Sequence, residues 1–361
     1  MRQVEPIELV VVHDLFCSFD QERMIAIQLQ SPRKLCAIAI EEPRSPGPGE
    51  ALVAVRRIGV CGTDWHSFAG RNPFFEYPRI LGHELGVEIL ELGPDTPGEV
   101  GAKCSLEPYL NDPQSPASQI GKTNCCESLK VLGVHCDGGM CPRLLVPAHK
   151  LHSSSKLSFD ALALVETLCI GAHGCERAEP KADDRILVVG AGPIGLSAYQ
   201  FAHLSSEQVA LMDVSKPRLD FARRQLGIDR LIHADANCVE EQVIDYFQGR
   251  PSLIIDATGH TGSMEQSFRL AGHGAKIVFL GIVQGNVSFA DPEFHRRELT
   301  LLASRNAPAS TFRHVMDQLE AGRIDTAAWI THRMTLEEVP DQLPPLEGAD
   351  DLLKAMVEVP V

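Results

Sequence analysis

Three features are missing from this sequence of 361 residues, and each absence closes off a class of function. No apolar stretch reaches the roughly 18–20 uninterrupted residues that a membrane span requires. Basic residues are in the minority. The 33 Lys and Arg against 48 Asp and Glu leave a net charge of −15, so the electrostatic footprint of a nucleic-acid binder is absent and anionic membranes are disfavoured. The N-terminal stretch lacks the basic segment, apolar core and small-residue cleavage site of a secretory signal, which makes a cytoplasmic location the expectation. Eleven cysteines, from Cys17 to Cys238, are then expected as thiols or metal ligands rather than disulfides. Internal repeats and low-complexity tracts are absent too. What is present, 44% apolar and 22% charged residues, is ordinary for a globular protein with a sizeable core, and the length suggests about two domains.

Residues 1–23 precede a more convincing start at Met24, and read as an N-terminal extension or as the product of a misplaced start codon. Strands are expected at Ile25–Leu29 and Lys34–Ile40, joined by a turn. The Pro/Gly cluster Pro43–Gly49 follows, then β-rich sequence at Ala51–Val60, Gly86–Leu92 and Leu144–Pro147. Beyond about residue 180 the pattern changes. A buried-strand run, Arg185–Gly190, leads through a glycine turn into a helical stretch, Leu196–Leu204. Strand candidates recur at Val209–Met212, Leu253–Ile255, Lys276–Leu280 and Leu299–Leu302. Strands alternating with helices imply a parallel sheet covered on both faces. A helix at Ser310–Leu319 belongs to the tail.

Gly190-Ala-Gly192-Pro193-Ile194-Gly195 spells G-x-G-x-x-G between strand and helix. The first glycine allows the tight turn, the second lets backbone approach a pyrophosphate, and the third permits close helix–strand packing. The helix N-terminus offers free N–H groups to the anion. Asp213, 23 residues beyond Gly190, suits the adenosine ribose hydroxyls of NAD and would repel a 2′-phosphate. Arg218 pulls the other way, since it can serve a 2′-phosphate or stack on adenine.

Cys61-Gly-Thr63-Asp64-Trp-His66 and Gly82-His83-Glu84 supply thiolate, imidazole and carboxylate, the ligand types zinc accepts. In isolation Cys61 reads as a buried thiol and His83 as a core histidine. Beside a nicotinamide site the pair reads differently, because a Lewis acid next to a hydride acceptor is what alcohol oxidation needs.

With these segments in order, and with Asp256-Ala-Thr258-Gly259 adding Thr258 to the cofactor set, the chain from about Met24 onward resembles the zinc-dependent medium-chain dehydrogenases and reductases, the alcohol and polyol dehydrogenase superfamily. The resemblance implies an α/β chain: a GroES-like β-rich catalytic domain (24–165 and 304–361) interrupted by a Rossmann domain with a doubly wound parallel sheet (166–303). It implies Cys61 and His83 as zinc ligands, with Asp64 orienting the His83 imidazole. Thr63 would bond the substrate oxygen and pass its proton toward the cofactor ribose and His66. Leu164-Val-Glu166-Thr-Leu168 resembles the polyol-branch element that places Glu166 at the remaining ligand position. Outside the resemblance, Glu166 reads as an exposed carboxylate at a helix start. Glu84 lies beside the metal as well, so either carboxylate could bind directly, through water, or in alternation.

Two departures accompany the likeness. Where many relatives carry four cysteines for a second, structural zinc, this chain has Asp112, Ser115, Ser118 and Cys126, so one catalytic zinc and no structural zinc are expected. The glycine of Leu85-Gly86-Val87 falls second after the glutamate rather than third, which implies a local backbone adjustment. Segments 133–140, 291–298 and 303–306 resemble bacterial sugar-acid and polyol dehydrogenases. A sugar acid needs a cation for its carboxylate, and Arg305 and Arg71 are the candidates. The expected activity is NAD-dependent, zinc-assisted interconversion of a secondary hydroxyl and a ketone on a polyol, sugar or sugar acid, by a homodimer or homotetramer. A zinc-independent reductase of the same fold and a non-catalytic NAD-binding sensor are the alternative readings.

Overall fold

The computed structural model describes residues 23–73, 75–235 and 237–360. Residues 1–22 of the expected extension lie outside the described residues, and Arg23 opens the first strand.

Strands β1 (Arg23–Ser31) and β2 (Lys34–Glu41) form an antiparallel hairpin that turns at Pro32-Arg33, with Arg33 at φ 64°. Next come β3 (Glu50–Gly59), α1 (Gly62–Phe68), β4 (Arg79–Ile80), β5 (Glu84–Leu92), β6 (Lys103–Leu106), β7 (Tyr109–Leu110), α2 (Pro116–Gln119), β8 (Lys130–Val131), β9 (Arg143–Pro147), β10 (Leu151–Ser153) and the long α3 (Phe159–Ala178). The expected strands of this half are all present. Gly86 lies opposite an irregularity in β3, where the register skips Arg56. A Cβ at Gly86 would stand 2.3 Å from the Phe159 carbonyl, so glycine is what lets β5 approach the start of α3.

The second half runs β11 (Ile186–Val189), α4 (Pro193–His203), β12 (Val209–Asp213), α5 (Lys216–Leu226), β13 (Leu231–His233), α6 (Val239–Phe247), β14 (Leu253–Asp256), α7 (Thr261–Leu270), β15 (Lys276–Phe279), α8 (Asp291–Arg296) and β16 (Thr300–Ala303). All six strands are parallel, in the order β13-β12-β11-β14-β15-β16. Strands β11, β12 and β14 are buried along their whole length, because helices cover both faces. The strand order reverses at β11, which puts a ligand crevice at its carboxyl end.

The chain then returns through α9 (Ala309–Glu320), β17 (Ile330–Thr335), α10 (Val339–Gln342) and β18 (Lys354–Glu358). Strand β18 pairs antiparallel with β3 and parallel with β17, completing the sheet β10-β6-β5-β3-β18-β17 from the far end of the sequence. The expected GroES-like β-rich unit and Rossmann sheet are thus both present. Among the described residues no helix is long and apolar enough to cross a membrane.

Asp160 at the start of α3 ties these pieces together. It accepts from Arg57 Nε at 2.9 Å and from Arg333 Nη2 at 2.6 Å, linking β3 and β17 to the helix. Partial burial pushes its carboxyl up, but Arg333 and Arg57 outweigh that and hold it below the ordinary aspartate value. A depressed folded-state value means stabilisation present above the unfolded pKa, about 3.9, and lost as pH falls through the folded value. Asp160→Asn should therefore cost about 0.5–1 kcal/mol at neutral pH, since the pair is half-exposed. The difference from wild type should shrink in denaturant titrations as pH falls below the unfolded value and through the folded one.

Candidate active site

Two short pieces of chain meet past the end of β3. Cys61 stands at the N-cap of α1, where its backbone N–H donates to Asp64 Oδ2 at 2.9 Å and fixes the first turn. His83 and Glu84 stand at the start of β5. The Cys61 thiol, a His83 ring nitrogen and a Glu84 carboxylate oxygen all lie within 4.8 Å of one another, with His83 and Glu84 buried. Gly59 pairs with Glu84 across the sheet, and a Cβ there would stand 2.1 Å from Glu84 Oε2. Only glycine leaves the carboxylate that space.

Glu84 is also held from behind. Lys354, on β18 and 2% exposed, donates to its two carboxylate oxygens at 2.7 and 2.8 Å, to Thr167 Oγ1 at 3.1 Å and to the Val60 carbonyl at 3.3 Å. Burial raises the Glu84 carboxyl, but Lys354 first and His83 next bring it below the usual glutamate value. Sequence reasoning missed Lys354. It is 270 residues from Glu84, in an apolar run that reads only as a strand.

Asp64 is 2% exposed, and its Oδ1 lies 3.7 Å from His83 Nδ1. Both of these buried atoms lack a hydrogen-bond partner, an arrangement suited to orienting the imidazole. Burial pushes the Cys61 thiol upward, Glu84 adds to that, and His83 opposes it. Burial lowers His83, yet Asp64 and Cys61 outweigh it and carry the imidazole well above its usual value. A soft thiolate, an imidazole and a carboxylate converging in a buried, anion-rich pocket form a donor set that fits zinc.

Glu166 is placed differently from the helix-start alternative. It sits in the middle of α3, 5% exposed, where the Tyr109 hydroxyl donates to Oε1. It falls outside the group of three that lie within 4.8 Å, though His83 and Glu84 both act on its ionisation, after burial, which raises it. Tyr109 was a second residue without a local sequence signal. Thr63 is half-buried and His66 exposed, one helical turn apart on α1. Burial and then Arg71 hold His66 below the usual imidazole value.

The lobe at Asp112, Ser115, Ser118 and Cys126 is held by hydrogen bonds. Asp112 N–H donates to Cys126 Sγ at 3.3 Å, the Ser115 and Ser118 hydroxyls are 3.0 Å apart, and Asn111 Nδ2 donates to Ser118 Oγ at 3.0 Å. Hydrogen bonds from Ser115 and Ser128 pull the Cys126 thiol down to about 7.

At the crevice, Gly190 adopts φ 102°, and a Cβ on Gly195 would stand 1.7 Å from the Gly190 carbonyl oxygen. Gly192 caps α4, with Pro193 and Ile194 opening the helix. Asp213, at the end of β12, already accepts from Ala191 N–H at 2.6 Å and Ser215 N–H at 2.7 Å, so it braces the glycine turn with lone pairs left for a ligand. Arg218 Nη1 lies 4.0 Å from where a Gly192 side chain would begin. Thr258 donates to Asp256 Oδ1 at 2.6 Å, and its methyl lies 3.3 Å from a Cβ built on Gly190.

Family models match over residues 47–156, as an alcohol dehydrogenase GroES-like domain, and over residues 193–321, as a zinc-binding dehydrogenase. The chain is 38% identical to the L-galactonate-5-dehydrogenase of Escherichia coli K12 over 306 residues, 84% of this chain and 89% of that protein. A structure of the alcohol dehydrogenase RspB from E. coli CFT073 complexed with NADH is 29% identical, with a TM-score of 0.86 over 93% of this chain and 99% of that one. A zinc-binding dehydrogenase from Sinorhizobium meliloti bound to NADP is 28% identical, with a TM-score of 0.86 over 94% of this chain and all of the other. Both halves of the chain, with the thiolate–imidazole–carboxylate cluster at the junction of β3 and β5, match one family: this protein belongs to the zinc-type medium-chain alcohol dehydrogenases, oxidoreductases that use zinc and NAD(P).

Proposed function

We propose that the protein is an NAD-dependent, zinc-assisted dehydrogenase that interconverts a secondary hydroxyl and a ketone on a polyol or sugar acid. The observation that carries this is the buried meeting of Cys61, His83 and Glu84 in a chain whose crevice carries an intact dinucleotide turn. Cys61, His83 and Glu84 are the residues that would hold zinc, with Glu166, on Tyr109, reaching it directly or through water. When bound, the metal supplies Lewis acidity toward a hydroxyl and the nicotinamide supplies the hydride acceptor. Asp64 orients His83, Lys354 and Gly59 fix Glu84, and the Thr63 hydroxyl would bond the substrate oxygen and, as it takes that proton, give up its own toward the cofactor ribose and His66 for release to solvent. Partial burial and then Arg71 favour the neutral form of the His66 imidazole, the form such a relay needs.

Residues 24–165 and 304–361 form the catalytic unit in this reading, and 166–303 the cofactor unit, with α3 spanning the first junction. A cytoplasmic location belongs to the same reading. The exposed edge strand β16, with Leu301 40% exposed, fits pairing with a second copy in a homodimer or homotetramer.

Spectroscopic following of NADH formation across neutral polyols and aldonates tests the activity. Turnover of a secondary alcohol supports it, and NAD binding without turnover anywhere in the panel favours the sensor reading. Asp213 supports NAD over NADP. Asp213→Ser should raise the NADP to NAD ratio of kcat/KM about 100-fold. It should also lower Tm, because the N–H groups of Ala191 and Ser215 lose their acceptor. An unchanged ratio would place cofactor choice elsewhere.

A further inference from the structure

We propose that Tyr109 is a positioning residue for the metal site: its hydroxyl tethers the Glu166 carboxylate away from the metal, so that Glu84 alone of the two carboxylates binds and a place stays open for substrate. This rests on the dehydrogenase reading above and decides how Glu166 stands to the metal within it.

The site has donors to spare. Glu166 would add a fourth to Cys61, His83 and Glu84, enough for the protein alone to fill a tetrahedral zinc. Structural zinc sites are closed in that way, whereas catalytic ones keep a position free. A chain with this many donors therefore needs something that holds one of them back. Charge sharpens the need. Asp64, Glu84 and Glu166 are all buried beside the Cys61 thiol, and among the described residues Lys354 is the only lysine or arginine bonded to any of them. A dication in such surroundings attracts every carboxylate within reach.

The two carboxylates are tethered in different ways. Lys354 bonds both Glu84 oxygens and still leaves Glu84 among the donors that lie within 4.8 Å of one another. Tyr109 donates to Glu166 Oε1, and Glu166 lies outside that group. It is nevertheless close to the site. Thr167, the next residue of α3, accepts at 3.1 Å from the same Lys354 nitrogen that holds Glu84. The cost of letting go separates the two. Were Glu84 to turn to a metal, Lys354 would keep the Thr167 hydroxyl and, at 3.3 Å, the Val60 carbonyl as acceptors. Were Glu166 to turn, the Tyr109 hydroxyl would lose its only hydrogen-bond partner among the described residues. A buried donor left unsatisfied carries its full desolvation penalty.

Tyr109 itself is held from several sides. It is 2% exposed, its backbone pairs with Val131 across β7 and β8, and its ring meets Phe312 of α9 edge-on at 6.0 Å. Phe312 stacks on His152 at 5.1 Å, and His152 Nε2 lies 3.3 Å from Glu107 Oε2. Lys150 Nζ donates to Glu107 Oε1 at 2.5 Å and to Asn111 Oδ1 at 3.0 Å. Glu107 and Asn111 flank Tyr109 in the chain, so one buried lysine clamps the segment on both sides of the tyrosine. The hydroxyl is thereby presented to Glu166 from a fixed base.

Tyr109→Phe tests the tether, because the ring and its contact with Phe312 remain and only the hydroxyl goes. The freed Glu166 should then join the metal. In chelator competition the variant should hold zinc about tenfold more tightly than wild type, and kcat/KM should fall about tenfold as the open place is taken. The visible absorption of the cobalt-loaded protein should weaken and shift as an oxygen donor is added. Adding Glu166→Gln to Tyr109→Phe should return zinc affinity and the cobalt spectrum toward wild type, which a merely structural tyrosine would not do. Weaker zinc binding by Tyr109→Phe would overturn the proposal and make Glu166 a direct ligand that the tyrosine steadies. Unchanged affinity and spectrum would overturn it as well. The metal readouts need no turnover. Tighter zinc in Tyr109→Phe, with no secondary alcohol oxidised by wild type, would leave the tether standing and the dehydrogenase reading fallen.

Discussion

Replacing Cys61 by serine strips the protein of zinc and lowers kcat/KM about a thousandfold, while NADH binding and the fold persist. The magnitude follows from what a Lewis acid contributes to a developing oxyanion, several kcal/mol, with each 1.36 kcal/mol worth tenfold in rate. Serine keeps the N-cap position of α1 and leaves the backbone bond to Asp64 in place, so the helix that carries Thr63 and His66 is preserved. Without the thiolate, His83 and Glu84, with Glu166 beyond them, lack the soft donor that anchors a tightly held zinc. Metal content by elemental analysis and initial rates on the same preparations check this. A Cys61→Ser protein with full activity would reduce Cys61 to a buried thiol.

Lys354→Met is the second large effect. The lysine is buried against a buried carboxylate, and removing one member of such a pair leaves the other uncompensated, at a cost of about 3–5 kcal/mol. The pH dependence follows from the sign of each shift. In the wild type Glu84 is held below its ordinary value chiefly by Lys354, so its contribution is present above the unfolded pKa and lost as pH falls through the folded one. Without the lysine, burial pushes Glu84 upward with only His83 and Thr167 left to oppose it, and the penalty is greatest at high pH and relieved as acid protonates the carboxyl. The stability gap between metal-stripped wild type and Lys354→Met should therefore narrow on acidification, and adding Glu84→Gln to the variant should recover part of the loss. A gap independent of pH would mean that Lys354 acts through packing alone. Chelator competition on the two loaded proteins adds a second readout, because a Glu84 released from Lys354 and Thr167 is less well placed for a metal.

Much of this was legible in the sequence because the signals are local. The glycine turn, the strand runs around it and Asp213 at the end of β12 all lie between Ile186 and Asp213, and each announces itself by spacing. Cys61, Thr63, Asp64 and His66 share one turn-and-helix segment, and His83 and Glu84 are adjacent. The remainder depends on tertiary return. Lys354 reaches Glu84 only because β18 inserts beside β3, and Tyr109 reaches Glu166 only because β6, just before it in the chain, packs on α3. Neither partner carries a periodicity or spacing that points at the other. Glu166 shows the same limit from another side. Its place in mid-helix, buried on the face toward the site, follows from the packing of α3, since a carboxylate in an apolar run has no local mark of which way it faces. The displaced glycine at Gly86 answers to the start of α3 pressing on β5, a contact with no mark in the local sequence.

The measurement that bears most directly on the central claim is zinc per chain taken together with NAD-linked oxidation of L-galactonate on one sample, as purified, after chelation and after zinc is restored. About one zinc per chain is predicted, with activity lost and regained in proportion to it and NADH binding unchanged throughout. Undiminished turnover in metal-free protein would contradict the account, as would a second tightly held zinc that survives Cys61→Ser.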